Sequence, residues 1–170
     1  MDTVLIKNAR LIGAASDSKP VSLLVINGRF AEVFETEKNL AGATVVDAGR
    51  LRLLPGFIDV HNHGAVGVDV NAADADGLLE IAAYLAKNGV TAWLPTLVPD
   101  SDENYERAIG AIDKLMDIQG DRAVAQAIGV HYEGVFASEK MCGALRPEFF
   151  RRFSGLPTTP SAEAAATPPS

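Results

Sequence analysis

The sequence predicts an α/β protein in which a small N-terminal region of β-strands, residues 1–54, precedes about three parallel strands within residues 55–153. Two observations lead to this prediction. The first region contains only short apolar runs bounded by turn-forming residues, which is typical of β-structure. The second region alternates apolar runs with segments whose apolar residues recur at helical spacing, which is typical of βαβ units and a parallel sheet.

The composition is that of a globular protein with an acidic balance. The 170 residues are 48% hydrophobic and carry 22 acidic against 15 basic side chains. This balance argues against nucleic acid or an anionic membrane as a partner, but it allows a local basic pocket for a phosphate. No apolar run reaches the roughly 18 residues of a membrane-spanning helix. No signal peptide is recognisable and Cys142 is the single cysteine, so we expect a cytoplasmic protein without disulfides.

Five short strands are predicted in the N-terminal region. The second and third, at residues 21–26 and 29–34, are separated by Asn27-Gly28. This dipeptide adopts the positive φ angles that a two-residue type I′ turn requires, so it predicts a hairpin. The other three strands are predicted at residues 4–6, 44–46 and 51–54.

Strands and helices are predicted to alternate in the second region. Residues 76–88 have apolar side chains at helical spacing and end before Gly89, which predicts a helix with a glycine C-terminal cap. Ser101 predicts the N-cap of a second helix, because its hydroxyl can accept a hydrogen bond from a free N–H group of the first turn. The apolar stripe of this helix, which ends at Met116, is expected to face the core. The strands are predicted at residues 56–60, 90–94 and 124–130.

Three strands and two helices fill less than half of a (β/α)₈ barrel, which needs about 250 residues. The residue pattern therefore predicts either a small open sheet or the front part of something larger. Residues 154–170 contain four of the nine prolines and show no periodicity, so we expect a disordered C-terminal tail.

Two histidines follow the first strand of the second region. His61 and His63 lie two residues apart, so on an extended chain both imidazoles lie on one face and can converge on one ion. Gly64 then lets the chain turn close to the site. Neutral imidazole is a good ligand for zinc, and a bound metal activates water. The pattern is short, however, and two polar residues at the start of a solvent-exposed loop are the alternative interpretation.

A second polar cluster follows the third predicted strand. His131 and Glu133 are expected to share a face in the same way. Because the carboxyl ends of parallel strands meet at one edge of a sheet, Glu133 could complete a metal site with His61 and His63. Taken singly, a solvated Glu133 and a hydrogen-bonded structural His131 are the simpler interpretation, but two clusters at matching strand ends favour a shared site.

Other features carry no predicted chemistry. Cys142 has no histidine partner at a recognisable spacing, and Trp93 lies in an apolar strand, where a core position is expected. The sequence has no glycine-rich loop of the kind that binds nucleotide phosphates.

Three motifs resemble a known family. Residues 55–64, which include His61-Asn62-His63-Gly64, resemble the metal motif of the amidohydrolase superfamily. Residues 89–96 and 129–134, together with Gly143-Ala144, resemble more narrowly the N-acetylglucosamine-6-phosphate deacetylase family. The resemblance extends to residue 153. It implies a partial (β/α) barrel and a metal-dependent hydrolase that removes acetate from an amino-sugar phosphate in carbohydrate metabolism.

The resemblance also implies roles for individual residues. Glu133 matches the metal-ligand glutamate of the family, and His61 and His63 match a pair that binds a second metal in some members. Ala144, beside Gly143, matches a position whose backbone touches the sugar. The metal is a divalent ion, for which we expect zinc, with iron, cobalt and manganese as alternatives. The family's proton-shuttle aspartate comes from a later strand, so no catalytic residue is assigned in this chain.

The chain departs from the family pattern at two positions. Val135 stands where the family usually has proline, and Leu145 stands where it has a substrate-facing histidine, so the exact sugar stays open. Family members are also much longer. We therefore expect a truncated or frameshifted chain with weak activity, or none, by itself.

Two alternatives to a deacetylase stay open. One is a non-catalytic remnant that binds a metal or a sugar phosphate, and the other is a different amidohydrolase. In either case the uncovered strand edge and helix faces of a partial barrel predict a homo-oligomer or an aggregation-prone fragment.

Overall fold

The computed structural model describes residues 2–12, 19–36 and 38–152. The chain divides into two compact units, with the division between Gly56 and Phe57. The tail that we predict to be disordered, residues 154–170, lies outside the described residues.

The first unit is a five-stranded sheet. All five predicted strands are present: β1 (Thr3–Leu11), β2 (Val21–Ile26), β3 (Arg29–Phe34), β4 (Thr44–Asp47) and β5 (Arg52–Leu53). Their spatial order is β3-β2-β1-β4, and β5 pairs with the second half of β1. The first three strands are antiparallel, whereas β4 and β5 run parallel to β1.

The predicted hairpin between β2 and β3 is confirmed. Ile26 pairs with Arg29, which leaves Asn27 and Gly28 as the two turn residues. Both have positive φ angles, 49° and 74°, as a type I′ turn requires. The sequence signal succeeds here because only asparagine and glycine adopt such angles at low cost.

The second unit is mixed α/β, with helices α1 (Ala75–Lys87) and α2 (Asp102–Gln119). Its central strand is β9 (Val90–Leu97), which is parallel to every strand that it pairs with. Ala92 of β9 pairs with both Ile58 and Gln126, so the strands that contain these two residues lie on opposite sides of β9. The remaining strands are β6 (Phe57–Asn62), β7 (Gly64–Ala65), β8 (Val68–Asp69), β10 (Gln126–Ala127) and β11 (His131–Tyr132).

Both helices begin at side-chain caps. Asp74 accepts a hydrogen bond from the Gly77 N–H, and the predicted cap Ser101 accepts one from the Asn104 N–H. The helices pack on the sheet through buried apolar residues, and Trp93 is fully buried, as expected. The largest of these core residues are Leu78, Ile81, Trp93, Leu97, Ile112 and Leu115.

The strand boundaries differ from the prediction in three places. The first and second strands of this unit run to Asn62 and Leu97, so His61 and Thr96 lie within strands. The predicted strand at residues 124–130 is wrong in part, because regular pairing is interrupted at residues 128–130 and gives β10 and β11 instead.

Met116, expected in the core, is 40% exposed because it lies at the edge of the buried stripe of α2.

Within the described residues, no helix combines the length and the apolar character that crossing a membrane would require.

Candidate metal centre

The candidate site lies at the carboxyl ends of three parallel strands. His61 is the penultimate residue of β6, and His63 follows that strand. Glu133 follows β11, and its N–H donates to the Leu97 carbonyl, which continues the pairing with β9. Because β6 and β11 both pair with β9, the register of that strand decides whether the three side chains meet.

The three side chains do meet. Nε2 of His61 lies 2.9 Å from Nε2 of His63, and Nε2 of His63 lies 2.9 Å from Oε2 of Glu133. The third distance, from His61 Nε2 to Glu133 Oε2, is 3.5 Å. Ligand atoms about 2.0–2.1 Å from a zinc ion are roughly 3–3.4 Å apart, so the observed triangle matches one face of a metal coordination shell.

The site is accessible from solvent. The side chains of His61, His63 and Glu133 are 47%, 40% and 37% exposed, so an ion can reach them from solvent. Within the described residues, these three form the one group of histidine, cysteine and carboxylate side chains that could hold a metal ion.

The tautomer of His63 follows from its partners. Its Nδ1 lies 3.3 Å from the Thr96 carbonyl oxygen. A carbonyl only accepts, so Nδ1 carries a hydrogen, and in the neutral form of the ring the lone pair of Nε2 is directed toward Glu133. Electron-rich atoms so close together repel one another, and a cation between them removes the repulsion. The residues present therefore fit a divalent metal.

Asp59 and Asn62 hold the end of β6 in shape. One carboxylate oxygen of Asp59 accepts from the His61 N–H and the other accepts from the Asn62 side-chain amide. The side-chain oxygen of Asn62, Oδ1, in turn accepts from the Gly64 N–H. These bonds fix the backbone on both sides of the two histidines, and they make use of both oxygens of Asp59.

Gly64 is required by the close approach of a neighbouring segment. Its φ angle is +150°, and a Cβ atom built on it would lie 2.1 Å from the backbone oxygen of Val68. No side chain fits at that distance. The turn that the sequence predicts after His63 is formed by the short β7–β8 hairpin, which the sequence did not predict.

Two residues at the site lie outside the predicted ligand set. Thr96 is fully buried on β9 and contacts His63, His131 and the backbone of Asn62. His131 packs beside His61, with ring centroids 4.9 Å apart. A signal for Thr96 was present in the sequence, since it is a hydrogen-bonding residue near the carboxyl end of a largely apolar strand.

The predicted sugar-binding residues lie in a different segment. Gly143 and Ala144 are exposed and follow a short 3₁₀ turn, Glu139–Met141. Arg146, close behind them, forms an ion pair with the buried carboxylate of Asp100. The contact of Gly143 and Ala144 with a sugar stays a prediction.

Comparison with known proteins identifies relatives. No family model matches the chain. The N-acetylglucosamine-6-phosphate deacetylase of Danio rerio is 36% identical over 111 residues, which are 64% of this chain and 27% of that protein. The N-acetylgalactosamine-6-phosphate deacetylase of Escherichia coli O157:H7 is 36% identical over 99 residues, which are 58% of this chain and 26% of that protein.

The same relationship appears in the fold. The crystal structure of N-acetylglucosamine-6-phosphate deacetylase from Pasteurella multocida matches 89% of this chain with a TM-score of 0.77 and 26% sequence identity. The match covers 39% of that structure, so the chain spans well under half the length of the relatives that it matches. In sequence and in fold, this chain is related to the N-terminal part of the N-acetylglucosamine-6-phosphate deacetylases of the amidohydrolase superfamily.

Proposed function

We propose that this chain carries a metal-binding portion of a divalent-metal-dependent deacetylase whose substrate is an N-acetylated amino-sugar phosphate. The observation that carries the proposal is the convergence of His61 Nε2, His63 Nε2 and Glu133 Oε2 within 3.5 Å of one another. The names of the relatives supply the substrate class, and they include both a glucosamine and a galactosamine derivative.

The proposed architecture is a small β domain, residues 1–54, followed by the first part of a (β/α)₈ barrel, residues 55–153. The parallel arrangement of β6, β9 and β11 supports this proposal, as does the match to part of a deacetylase structure. In barrels of this kind the active site lies at the carboxyl ends of the strands, which is where the His61, His63 and Glu133 cluster lies.

Each side chain has a role in this proposal. His61, His63 and Glu133 hold the metal, for which zinc suits the two nitrogens and one oxygen best, and iron, cobalt and manganese are alternatives. When bound, the metal would activate water and polarise the amide carbonyl. Gly143 and Ala144 are proposed to contact the sugar through their backbone.

A general acid–base is also needed, because the amine that leaves must receive a proton. Asp59 is the aspartate nearest in sequence to His61. Both of its oxygens, however, accept hydrogen bonds that shape the end of β6, so we do not assign it this role. We therefore propose that this chain by itself binds the metal and turns substrate over slowly or not at all.

The experiment measures the binding of zinc, iron, cobalt and manganese in turn, and the release of acetate from N-acetylglucosamine 6-phosphate and N-acetylgalactosamine 6-phosphate. We expect the purified chain to retain zinc and the Glu133→Gln variant to lose it. Glu80→Gln, which changes an exposed glutamate of α1, should bind as the parent does.

The possible outcomes separate the alternatives. Zinc binding without acetate release would indicate a binding remnant or an incomplete site. Release that depends on Glu133 would show that the site is complete. Failure to bind any of the four metals would refute the proposal.

A further inference from the structure

Thr96 contacts two histidines of the candidate site. It is fully buried on β9, between the neighbouring strands β6 and β11. Its hydroxyl and its carbonyl contact two different histidines.

The hydroxyl of Thr96 has a complete set of partners. A hydroxyl has one hydrogen to donate and two lone pairs. Oγ1 donates to the Leu94 carbonyl at 3.1 Å and accepts from the Asn62 N–H at 2.9 Å. One lone pair remains, and Nδ1 of His131 lies 3.3 Å from it. His131 must therefore donate, which places its hydrogen on Nδ1 and leaves Nε2 unprotonated in the neutral ring.

The carbonyl of Thr96 acts in the same way on the second histidine. It accepts from Nδ1 of His63 at 3.3 Å, which leaves Nε2 of that ring as the ligand atom. One residue thus selects the same tautomer in His63 and His131. His131 in turn packs beside the ring of His61 and limits its rotation.

We propose that Thr96 is a positioning residue for the metal centre: it fixes the tautomers of His63 and His131 and ties the end of β6 to β9. The effect on the metal rests on the proposed function. The effect on the tautomers does not, because it concerns the protein without metal. Loss of a group that orients a metal-ligand histidine typically weakens metal binding by about 10–100-fold.

The first test reads the tautomers directly. The chain has three histidines, so ¹⁵N-labelled imidazoles give a simple long-range ¹H–¹⁵N spectrum in metal-free alkaline buffer. We expect His63 and His131 to be protonated at Nδ1. Thr96→Val removes the hydroxyl and keeps the carbonyl, so His131 should change its tautomer while His63 keeps its own. Thr96→Ser should restore the parent spectrum.

The second test measures zinc affinity by calorimetry. Thr96→Val should bind zinc up to about 10-fold more weakly, because it keeps the carbonyl that orients His63 and loses only the bonds of the hydroxyl to Asn62 and His131. Thr96→Ser should bind close to the parent value. The matched control is Thr91→Val, which removes another β9 hydroxyl that bonds across to β6, at the Phe57 carbonyl. Thr91 is exposed near the opposite end of the strand, so zinc affinity should not change.

The outcomes distinguish the two proposals. If the parent protein binds no zinc but shows both Nδ1–H tautomers, the proposed function fails and the role of Thr96 stands. If the parent spectrum shows His63 or His131 protonated at Nε2, the role of Thr96 is refuted, and this result does not depend on any variant folding. Equal zinc affinity in Thr96→Val and the parent would refute the effect on the metal.

Discussion

Nε2 of His63 lies 2.9 Å from Oε2 of Glu133, although the two residues follow strands that do not pair with each other. Both strands pair with β9, so the distance is set by two registers on one central strand. A shift of one residue in either pairing would turn these side chains to the opposite face of the sheet. Metal binding at this point therefore reports on the correct folding of the parallel sheet.

The first prediction is that zinc stabilises the folded chain. A ligand that binds only the folded state adds about 2.7 kcal/mol to the free energy of unfolding at 100 times its Kd. Thermal or urea unfolding with and without zinc measures this. A chelator should reverse the gain, and His63→Asn should abolish it by removing one ligand.

Calcium is the control ion, because it prefers oxygen ligands and should not bind two imidazoles. Equal stabilisation by zinc in the parent and in His63→Asn would place the bound ion elsewhere and contradict the site.

The second prediction concerns the turn after the histidines. In Gly64→Ala the new Cβ would lie 2.1 Å from the Val68 oxygen, so the β7–β8 hairpin must shift. We expect a loss of about 1–3 kcal/mol in the free energy of unfolding, together with weaker zinc binding, since His63 precedes the strained residue. Denaturant unfolding and calorimetry measure the two effects.

Gly110→Ala is the control, and it should change the free energy of unfolding in the opposite direction. Gly110 lies within α2, and a Cβ there would meet no atom within 4 Å. Because alanine is the better helix former, this change should add about 0.5–1 kcal/mol. A stabilising Gly64→Ala would show that the backbone oxygen of Val68 does not lie close to Gly64.

Local sequence signals predicted elements more reliably than they predicted boundaries. The Asn27-Gly28 turn and the Ser101 cap depend on one or two residues and their own backbone, and both are confirmed. The extent of the strand predicted at residues 124–130 depends on its partner, β9. Residues 128–130 leave regular pairing, although their sequence pattern predicts a strand. Pairing of this kind is a tertiary property that periodicity does not contain.

The candidate site could be predicted in part. His61, His63 and Glu133 could be placed near one another from the rule that parallel strands end at a common edge. The role of Thr96 could not be derived, because it depends on which atoms of β9 face the neighbouring strands. Its bonds to Asn62, His63 and His131 join residues far apart in the chain.

The third prediction is self-association of the isolated chain. Ile58 and Val60 lie two residues apart on β6 and are 61% and 57% exposed, so one face of this strand presents apolar surface to water. We expect light scattering after size exclusion to show species larger than a monomer. Replacing both residues by threonine should reduce association and retain strand propensity.

Met141→Thr is the control for this prediction, because Met141 is even more exposed but lies outside the sheet. It should leave association unchanged. A parent chain that elutes as a monomer with one cooperative melt would contradict the prediction.

The fourth prediction concerns the dependence of stability on pH. Burial favours the neutral form of Asp100, but hydrogen bonds from Arg146, the Ser101 N–H and two asparagine side chains outweigh it and hold the pKa of this carboxyl below its usual value. A carboxyl whose pKa is lower in the folded state stabilises the protein above its unfolded pKa, about 3.9. That contribution is lost as the pH falls through the lower, folded pKa.

Asp100→Asn should therefore cost about 1–3 kcal/mol at pH 7, where charged hydrogen bonds of this strength are lost. The difference from the parent should narrow as the pH falls from about 4 toward the lower, folded pKa, because protons then bind the carboxyl of the unfolded parent chain before they bind that of the folded one. Urea unfolding at several pH values measures both effects. Asp113→Asn, at an exposed position of α2, should match the parent at neutral pH. A constant difference between Asp100→Asn and the parent down to strongly acidic pH would show that the ion pair with Arg146 does not stabilise the folded chain.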